Sequence, residues 1–263
     1  MELQIQKLNK IRSVDDWRQF APPMSPTQWK NDRSAKLLAE WVLDWKFGND
    51  LEQKVLKKYG FHYSKDPIAE PECVTTLPGI GEGRHHDLLI EGDDFVIGVE
   101  AKVSETFGNY ISDELYKASD NKVNRITELA KILGKSVHEL EPYRYQLLTG
   151  VVGTLLEAQN RHKPKCLFHV IVFKGDSLKQ GIPKGELGNI GSNGTNAKDF
   201  NSFCKDILGI VPGETSKTYK IKMDNIELFV DSQEVTVERA SSRFSTKIAP
   251  HLRRTKSSEI KEE

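Results

Sequence analysis

The segment FVIGVEAKV, residues 95–103, decides the fold that the sequence predicts. Its odd-numbered residues are all apolar, which is the pattern of a strand that turns one face to a protein core. The even-numbered face is also apolar at first but ends in Glu100 and Lys102. Burying two charges side by side at the end of a core strand costs free energy unless they are paired, hydrogen-bonded or bound to a metal. The strand is therefore predicted to lead into a functional site.

A second strand, HDLLIE, comes just before this segment and is joined to it by a Gly-Asp-Asp turn. Such a short turn predicts a hairpin, which places Asp87, at the start of the first strand, beside Glu100 and Lys102. The two carboxylates and the backbone carbonyl of Ala101 are hard oxygen ligands of the kind that Mg²⁺ or Mn²⁺ prefers. A lysine next to them can orient a water molecule or offset negative charge on a phosphoryl group. The pattern thus indicates a metal site suited to phosphoryl chemistry.

An acid-x-Lys triplet by itself is a weak signal in a chain with 29% charged residues. Four further copies occur in helical or tail sequence, without a strand-borne aspartate a short turn upstream, at residues 44–46, 52–54, 120–122 and 259–261. The hairpin context, rather than the triplet, distinguishes residues 100–102.

The composition is that of an ordinary folded protein. With 263 residues, 37% of them hydrophobic, the chain suffices for one large domain or two small ones, which excludes collagen-like, low-complexity and wholly disordered classes. Lys plus Arg and Asp plus Glu both total 38, so no overall electrostatic attraction to nucleic acid is expected. No apolar run approaches the about 20 residues of a membrane span, and the N-terminus lacks the apolar region of a secretory signal. The 3 cysteines are widely spaced, which favours a reducing cytoplasm.

Outside the hairpin, the pattern predicts a mixed α/β domain with helices packed on a central sheet. Residues 1–33 are predicted to form an N-terminal arm, irregular over its first 28 residues, residues 34–240 the domain, and residues 241–263 a polar tail. Residues 62–84 are predicted to be a long connection. The other predicted elements are a helix from Ser34, helices at 50–59, 111–134, 143–160 and 196–208, a buried strand at 167–174, a loop at 181–195 and a hairpin turning at Asp224-Asn225.

Asp87, twelve intervening residues and then Glu100-Ala101-Lys102 resemble the active-site signature of the PD-(D/E)XK, or restriction-endonuclease-like, nucleases. The order of predicted elements over residues 34–174, about half the chain, is similar to the core of that superfamily. Three segments also resemble small bacterial members of the superfamily without assigned function: Trp29 with Arg33-Ser34-Ala35-Lys36, the segment VEAKVSETFG and the segment RYQLLTG. One departure is His86, which stands where the family's name expects proline.

The resemblance implies a restriction-endonuclease-like core, with a central mixed sheet flanked by helices. In such a core Asp87 and Glu100 would hold Mg²⁺ or Mn²⁺, and Lys102 would position the attacking water. The family commonly places a glutamate on its first helix near the metal, and Glu40 matches that position. Many members use a glutamine on the helix after the site, which Gln146 matches.

The function that the resemblance implies is one-step hydrolysis of DNA phosphodiester bonds, in bacterial restriction, phage defence or repair. Glu105, just past the strand, is a further candidate for a supporting group. A homodimer would supply the two sites that double-strand cutting needs, although no segment of the sequence encodes an interface.

Other interpretations stay open. A binding or scaffold protein could keep this fold without cleaving, and the neutral overall charge favours that interpretation slightly. The His-Asp pair at residues 86–87 also occurs in a family of metal-dependent phosphohydrolases, whose domains are almost wholly helical. A zinc site made of His62, Cys73, His85 and His86 would have a ligand spacing that matches no standard pattern. The simplest expectation for the two adjacent histidines is a solvated turn.

Overall fold

A seven-stranded mixed sheet forms the centre of the computed structural model, which describes residues 4–7, 9–175, 178 and 194–237. The strands are β1 Gln4–Ile5, β2 Ile68–Thr75, β3 Arg84–Glu91, β4 Phe95–Lys102, β5 Lys165–Lys174, β6 Ser216–Ile221 and β7 Asp224–Thr236. Their order is β1-β2-β3-β4-β5-β7-β6. Strand β3 is antiparallel to β2 and β4, and β6 is antiparallel to β7, whereas the pairs β1–β2, β4–β5 and β5–β7 are parallel. The predicted α/β class with a mixed central sheet is confirmed.

Helices flank this sheet on both faces. They are α1 Val14–Phe20, α2 Ser34–Val42, α3 Trp45–Leu51, α4 Lys57–Tyr59, α5 Ile111–Leu115, α6 Asp120–Ile132, α7 Val137–Leu140, α8 Tyr145–Asn160 and α9 Thr195–Ser202. A 3₁₀ turn spans Pro26–Gln28, and π-helical turns follow α3 at Glu52–Leu56 and α9 at Phe203–Leu208. Helices α1 to α4 share a buried cluster with one face of the sheet, and α6, α8 and α9 share another with the opposite face. No helix in the described part of the chain combines the length and hydrophobicity that a membrane span requires.

Strand β4 lies in the middle of the sheet, and all of its residues are buried. Ile97 and Val99 pack in the cluster of α1 to α4, whereas Val96 packs in the cluster of α8. This alternation confirms the two faces predicted from the sequence. Strand β5 pairs with β4 in parallel and is buried along most of its length, as its apolar run predicts.

Gly98 sets the distance between β4 and the long helix α8. A Cβ atom at this position would lie 2.2 Å from the hydroxyl oxygen of Thr154 and 3.0 Å from Nδ1 of His86. Helix α8 therefore approaches the strand more closely than any side chain would allow. Because α8 begins at Tyr145, this packing brings its first turn to the end of β4 where Glu100 and Lys102 lie.

Two expectations about the chain before the hairpin are wrong. The connection predicted over residues 62–84 contains β2, and the first 28 residues contain β1 and α1. Helix α1 is capped by Ser13, whose hydroxyl accepts a hydrogen bond from the amide of Asp16, and it buries Trp17 against α2. Most of the predicted loop 181–195 and the polar tail 241–263 lie outside the described residues.

Candidate active site

A cleft of about 400 Å³ opens where β3 and β4 part at the end of the sheet. Its walls come from the segment before α2, from β2, β3 and β4, from the turn after β4 and from the start of α8. Four carboxylates and two buried cations line it: Glu72, Asp87, Glu100, Glu105, Arg84 and Lys102. We call these four carboxylates the acidic cluster.

A local break in the strand ladders turns two of the carboxylates into the cleft. Strands β2 and β3 pair at Pro71↔Leu88 and at Cys73↔His86, which leaves Glu72 directly opposite Asp87. On one side of this pair, Leu88 packs in the cluster of α1 to α4. On the other side, His86 packs under α8. In a regular strand Leu88 and His86, two residues apart, would face the same side of the sheet. The alternation of side chains between the two faces is therefore shifted by one residue where Glu72 lies opposite Asp87.

Asp87 is fixed at the point where the β3–β4 ladder stops. The last ladder pair is Leu88↔Val99, and the Asp87 carboxylate beyond it accepts a hydrogen bond of 2.7 Å from the amide of Ala101. The same register would place Asp87 opposite Glu100. The hairpin therefore brings these two residues to one end of the sheet, as the sequence predicts.

Glu100 is almost fully buried and interacts with two cations. One carboxylate oxygen contacts the guanidinium of Arg84, and the other lies 2.6 Å from Nζ of Lys102. Lys102 also donates a hydrogen bond of 3.0 Å to the side-chain oxygen of Gln146 on α8. Asp87, Glu100, Ala101, Lys102 and Gln146 thus line a single cleft.

Burial disfavours the ionised form of two of the carboxylates, and at one of them a neighbouring negative charge adds to this effect. Burial raises the pKa of Asp87 in spite of the nearby Lys102 charge and the Ala101 hydrogen bond. Burial, and then the charge of Asp87, raise the pKa of Glu72 to about 8. By contrast, burial would raise the pKa of Glu105, but the Lys102 charge and the Ser34 hydroxyl lower it. The charged forms of Glu72 and Asp87 are therefore disfavoured, because the nearby cations do not offset the cost of burying these carboxylates.

The donor chemistry of the cleft fits a hard divalent cation. Carboxylates of this kind are the usual ligands of Mg²⁺ and Mn²⁺, and four of them face two buried cations, Arg84 and Lys102. In the described part of the chain, no three His, Cys, Asp or Glu side chains already stand in metal-binding geometry. Because Glu100 is paired with both cations, binding a metal there requires the Arg84 contact to change.

Glu40 is the one sequence-predicted site residue that the structure keeps out of the cleft. Helix α2 approaches the cleft with its first residues, Ser34 and Ala35, and Glu40 lies about 9 Å farther along the helix axis. Its carboxylate is 46% exposed and pairs with Lys36 at 3.5 Å. The contact from α2 to the site instead comes from the Ser34 hydroxyl, which donates to Glu105.

Sequence reasoning missed Glu72 and Arg84. Glu72 belongs to a strand that was not predicted, and Arg84 starts a strand that was predicted to begin at His86. Glu105 is held as a supporting group, since its carboxylate also accepts hydrogen bonds from the amides of Val103 and Ser104. No local pattern singles out Glu72, because Glu70 stands in an equivalent position on the other side of Pro71.

The structure contradicts the other interpretations of the histidines: the solvated turn, the zinc site and the His-Asp phosphohydrolase. His86 is fully buried under α8 and shares a hydrogen bond of 2.9 Å with the Thr75 hydroxyl, so it is not a solvated turn residue. His62 is exposed and pairs with Asp93, and among the described residues no three His, Cys, Asp or Glu side chains are grouped as zinc ligands. The wholly helical fold of the His-Asp phosphohydrolases is excluded by the seven-stranded sheet.

The buried His86 predicts a pH dependence of stability. Burial lowers the pKa of His86 well below its usual value, and the Arg84 charge adds to this effect. As pH falls below about 6.5 the unfolded chain binds a proton there and the folded chain does not, so folding loses up to about 1.4 kcal/mol per pH unit. Urea denaturation at pH 7.5 and 5.5 should show a smaller decrease for His86→Gln than for the wild type. His85→Gln is the matched control, and an equal decrease in all three proteins would contradict the prediction.

The comparisons with known proteins identify the family of the chain. A family model described as a domain of unknown function (DUF6946) matches residues 10–235, so the chain belongs to that family. The matched region includes the whole acidic cluster with Lys102 and Gln146. No curated protein and no solved structure matches the chain significantly.

Proposed function

We propose that this member of the family is a divalent-metal-dependent nuclease that hydrolyses DNA phosphodiester bonds on a restriction-endonuclease-like core. The observation that carries the proposal is the cleft at the end of β4, where Asp87, Glu100, Lys102 and Gln146 meet. The order of elements supports it, because an antiparallel pair of strands bearing the site is followed by α8 and then by the parallel strand β5.

Asp87 and Glu100, with the backbone carbonyl of Ala101, are the groups that would hold the cation. A bound Mg²⁺ or Mn²⁺ supplies Lewis acidity toward a phosphate oxygen and lowers the pKa of a water molecule. Arg84 contacts the same carboxylate and has a planar guanidinium that suits a phosphate. Arg84 would therefore exchange one oxygen of Glu100 for an oxygen of the substrate.

Lys102 is the residue that faces the reacting phosphate in this proposal. Its ammonium group is held between Glu100 and Gln146, so it enters the reaction already oriented. There it positions the attacking water and offsets the negative charge that develops on the phosphate. Water attacks the phosphorus as the ester oxygen leaves, without a covalent enzyme intermediate.

The segment before α2 adds positive charge to the lining of the cleft. Lys30 and Arg33 line the cleft from the segment that leads into α2. Lysine and arginine at the rim of such a cleft are the groups that contact a phosphate backbone. Buried free thiols at Cys73, Cys166 and Cys204 fit the reducing cytoplasm in which restriction, phage defence or repair takes place.

A cleavage assay with Asp87→Asn tests the proposal. Supercoiled, linear and single-stranded DNA and RNA are incubated with Mg²⁺ or Mn²⁺, with EDTA as the metal-free control. Asparagine keeps an oxygen for the Ala101 amide and removes only the charge, so a loss of about a hundredfold or more in rate is expected. Asp50→Asn, an exposed position paired with Lys54, should cut like the wild type. The proposal fails if no nucleic acid is cut and calorimetry detects no Asp87-dependent metal binding.

A scaffold protein that binds nucleic acid without cleaving is the second candidate. The observation that favours it is that Arg84 and Lys102 already neutralise Glu100. Such a protein would bind DNA in EDTA as well as in Mg²⁺, and Asp87→Asn would leave that affinity unchanged. DNA cutting that requires metal and Asp87 would exclude it.

A further inference from the structure

We propose that Glu72 is a further ligand of the divalent cation in this cleft, opposite Asp87. The inference rests on the proposed metal-dependent function and extends the ligand set to a residue of β2. It follows from the position of Glu72 in the ladder, the surroundings of its carboxylate and the arrangement of nearby cations.

Glu72 is built into the strand in an unusual backbone conformation. Its φ angle is 49°, which lies in the left-handed region, although the residues on either side belong to a regular strand. The conformation is unfavourable for any residue other than glycine. Here it interrupts the β2–β3 ladder at one position and sets Glu72 directly opposite Asp87.

The carboxylate of Glu72 is buried without a strong partner. The residue is only 9% exposed and lines the cleft. The side chain of His85 is the nearest described partner, with Nδ1 at 3.9 Å from the carboxylate. A buried carboxylate is normally hydrogen-bonded, paired or bound to a metal.

The cations around Glu72 do not satisfy its carboxylate. Lys7 is close, but its ammonium group donates to the backbone carbonyls of Pro71 and Glu72. Arg84 contacts Glu100 instead. A divalent cation between the opposed residues would compensate both Glu72 and Asp87, which is the role that carboxylate pairs have in Mg²⁺ and Mn²⁺ sites.

Metal binding by Glu72→Gln tests the inference without measuring activity. Calorimetric titration with Mn²⁺, and the rise in melting temperature that Mn²⁺ causes, are measured on the full chain. Glu72→Gln is expected to weaken Mn²⁺ binding by about tenfold to a hundredfold and to reduce the metal-induced rise accordingly. The same variant should melt at or above the wild-type temperature in EDTA, because glutamine keeps the shape of a side chain whose charged form is disfavoured by burial opposite Asp87. Glu72→Gly, which also suits the left-handed φ, should give the same loss of Mn²⁺ affinity.

Glu82→Gln is the matched control. Its carboxylate lies 3.4 Å from the same His85 ring but is 62% exposed and outside the cleft, so Mn²⁺ affinity should be unchanged. Wild-type Mn²⁺ affinity in both Glu72 variants, together with loss of affinity in Asp87→Asn, would overturn the inference and leave the proposed function standing. Lack of Mn²⁺ binding by the wild-type protein would instead overturn the proposed function.

Discussion

Lys102→Met is expected to lower the rate of DNA cleavage by about a hundredfold to a thousandfold, while the protein still binds Mn²⁺. The ammonium group of Lys102 lies 2.6 Å from Glu100, and in the proposed mechanism it acts on the phosphate rather than holding the metal. Methionine fills a similar volume with no charge. Glu100 keeps its contact with Arg84, so the substitution does not leave that buried carboxylate unpaired.

Metal affinity is the readout that separates this role from a structural one. Removing a cation that competes for Glu100 should leave Mn²⁺ affinity equal or increase it, whereas a general loss of structure would lower it. Single-turnover cleavage and calorimetry on the same preparations measure both quantities. Lys54→Met, at an exposed lysine paired with Asp50, is the matched control and should cut at the wild-type rate. Cleavage by Lys102→Met at the wild-type rate would remove this residue from the mechanism.

The hairpin shows how much local sequence pattern predicts. Apolar alternation fixed the two faces of β4, and the short turn fixed which residue of β3 meets Glu100 and Lys102. Gln146 was named from the family resemblance, and the structure places its side chain in hydrogen-bond contact with Lys102. The prediction of the hairpin succeeds because it depends on residues that are close together in the sequence.

The parts of the site that sequence pattern did not predict depend on distant contacts. The shift of faces at Glu72 and Asp87 arises from the pairing of β2 with β3, and neither strand shows it alone. Glu40 was assigned because it lies on the first helix predicted in the domain, but α2 approaches the cleft with its first residues, so that Ser34 reaches it instead. A periodic pattern predicts which face of a helix is buried, but not which end of the helix approaches a site.

The burial of His86 also depends on contacts between residues that are distant in the sequence. A His-His-Asp sequence is polar and gives no sign of burial, yet the ring of His86 is covered by α8 at the level of Gly153. The absence of a side chain at Gly98 and Gly153 creates the space that the ring occupies. The histidine in place of the expected proline is thus a packing feature under α8 and leaves Asp87 in its predicted position.

Gly98→Ala is expected to destabilise the protein by about 3 kcal/mol, because α8 has no room for a methyl group on β4. The new Cβ would lie 2.2 Å from the Thr154 hydroxyl and 3.0 Å from His86, and all three groups are buried in a packed interface. Urea denaturation measures the change, provided that the dependence on urea concentration stays that of the wild type. Adding Thr154→Ala removes the closer clash, so the double variant should be more stable than the sum of the two single changes predicts.

The same substitution should affect the cleft, because α8 carries Gln146 on its first turn. Any outward shift of the helix lengthens the hydrogen bond of 3.0 Å between Gln146 and Lys102 and frees the ammonium group to move. Gly98→Ala should therefore cut DNA more slowly than its remaining folded fraction accounts for, and Thr154→Ala should restore part of that rate together with the stability. If stability falls while the rate per folded molecule is unchanged, the position of α8 does not control Lys102. In that case the orientation of Lys102 depends on Glu100 alone, and Gln146→Ala would be expected to cleave at the wild-type rate.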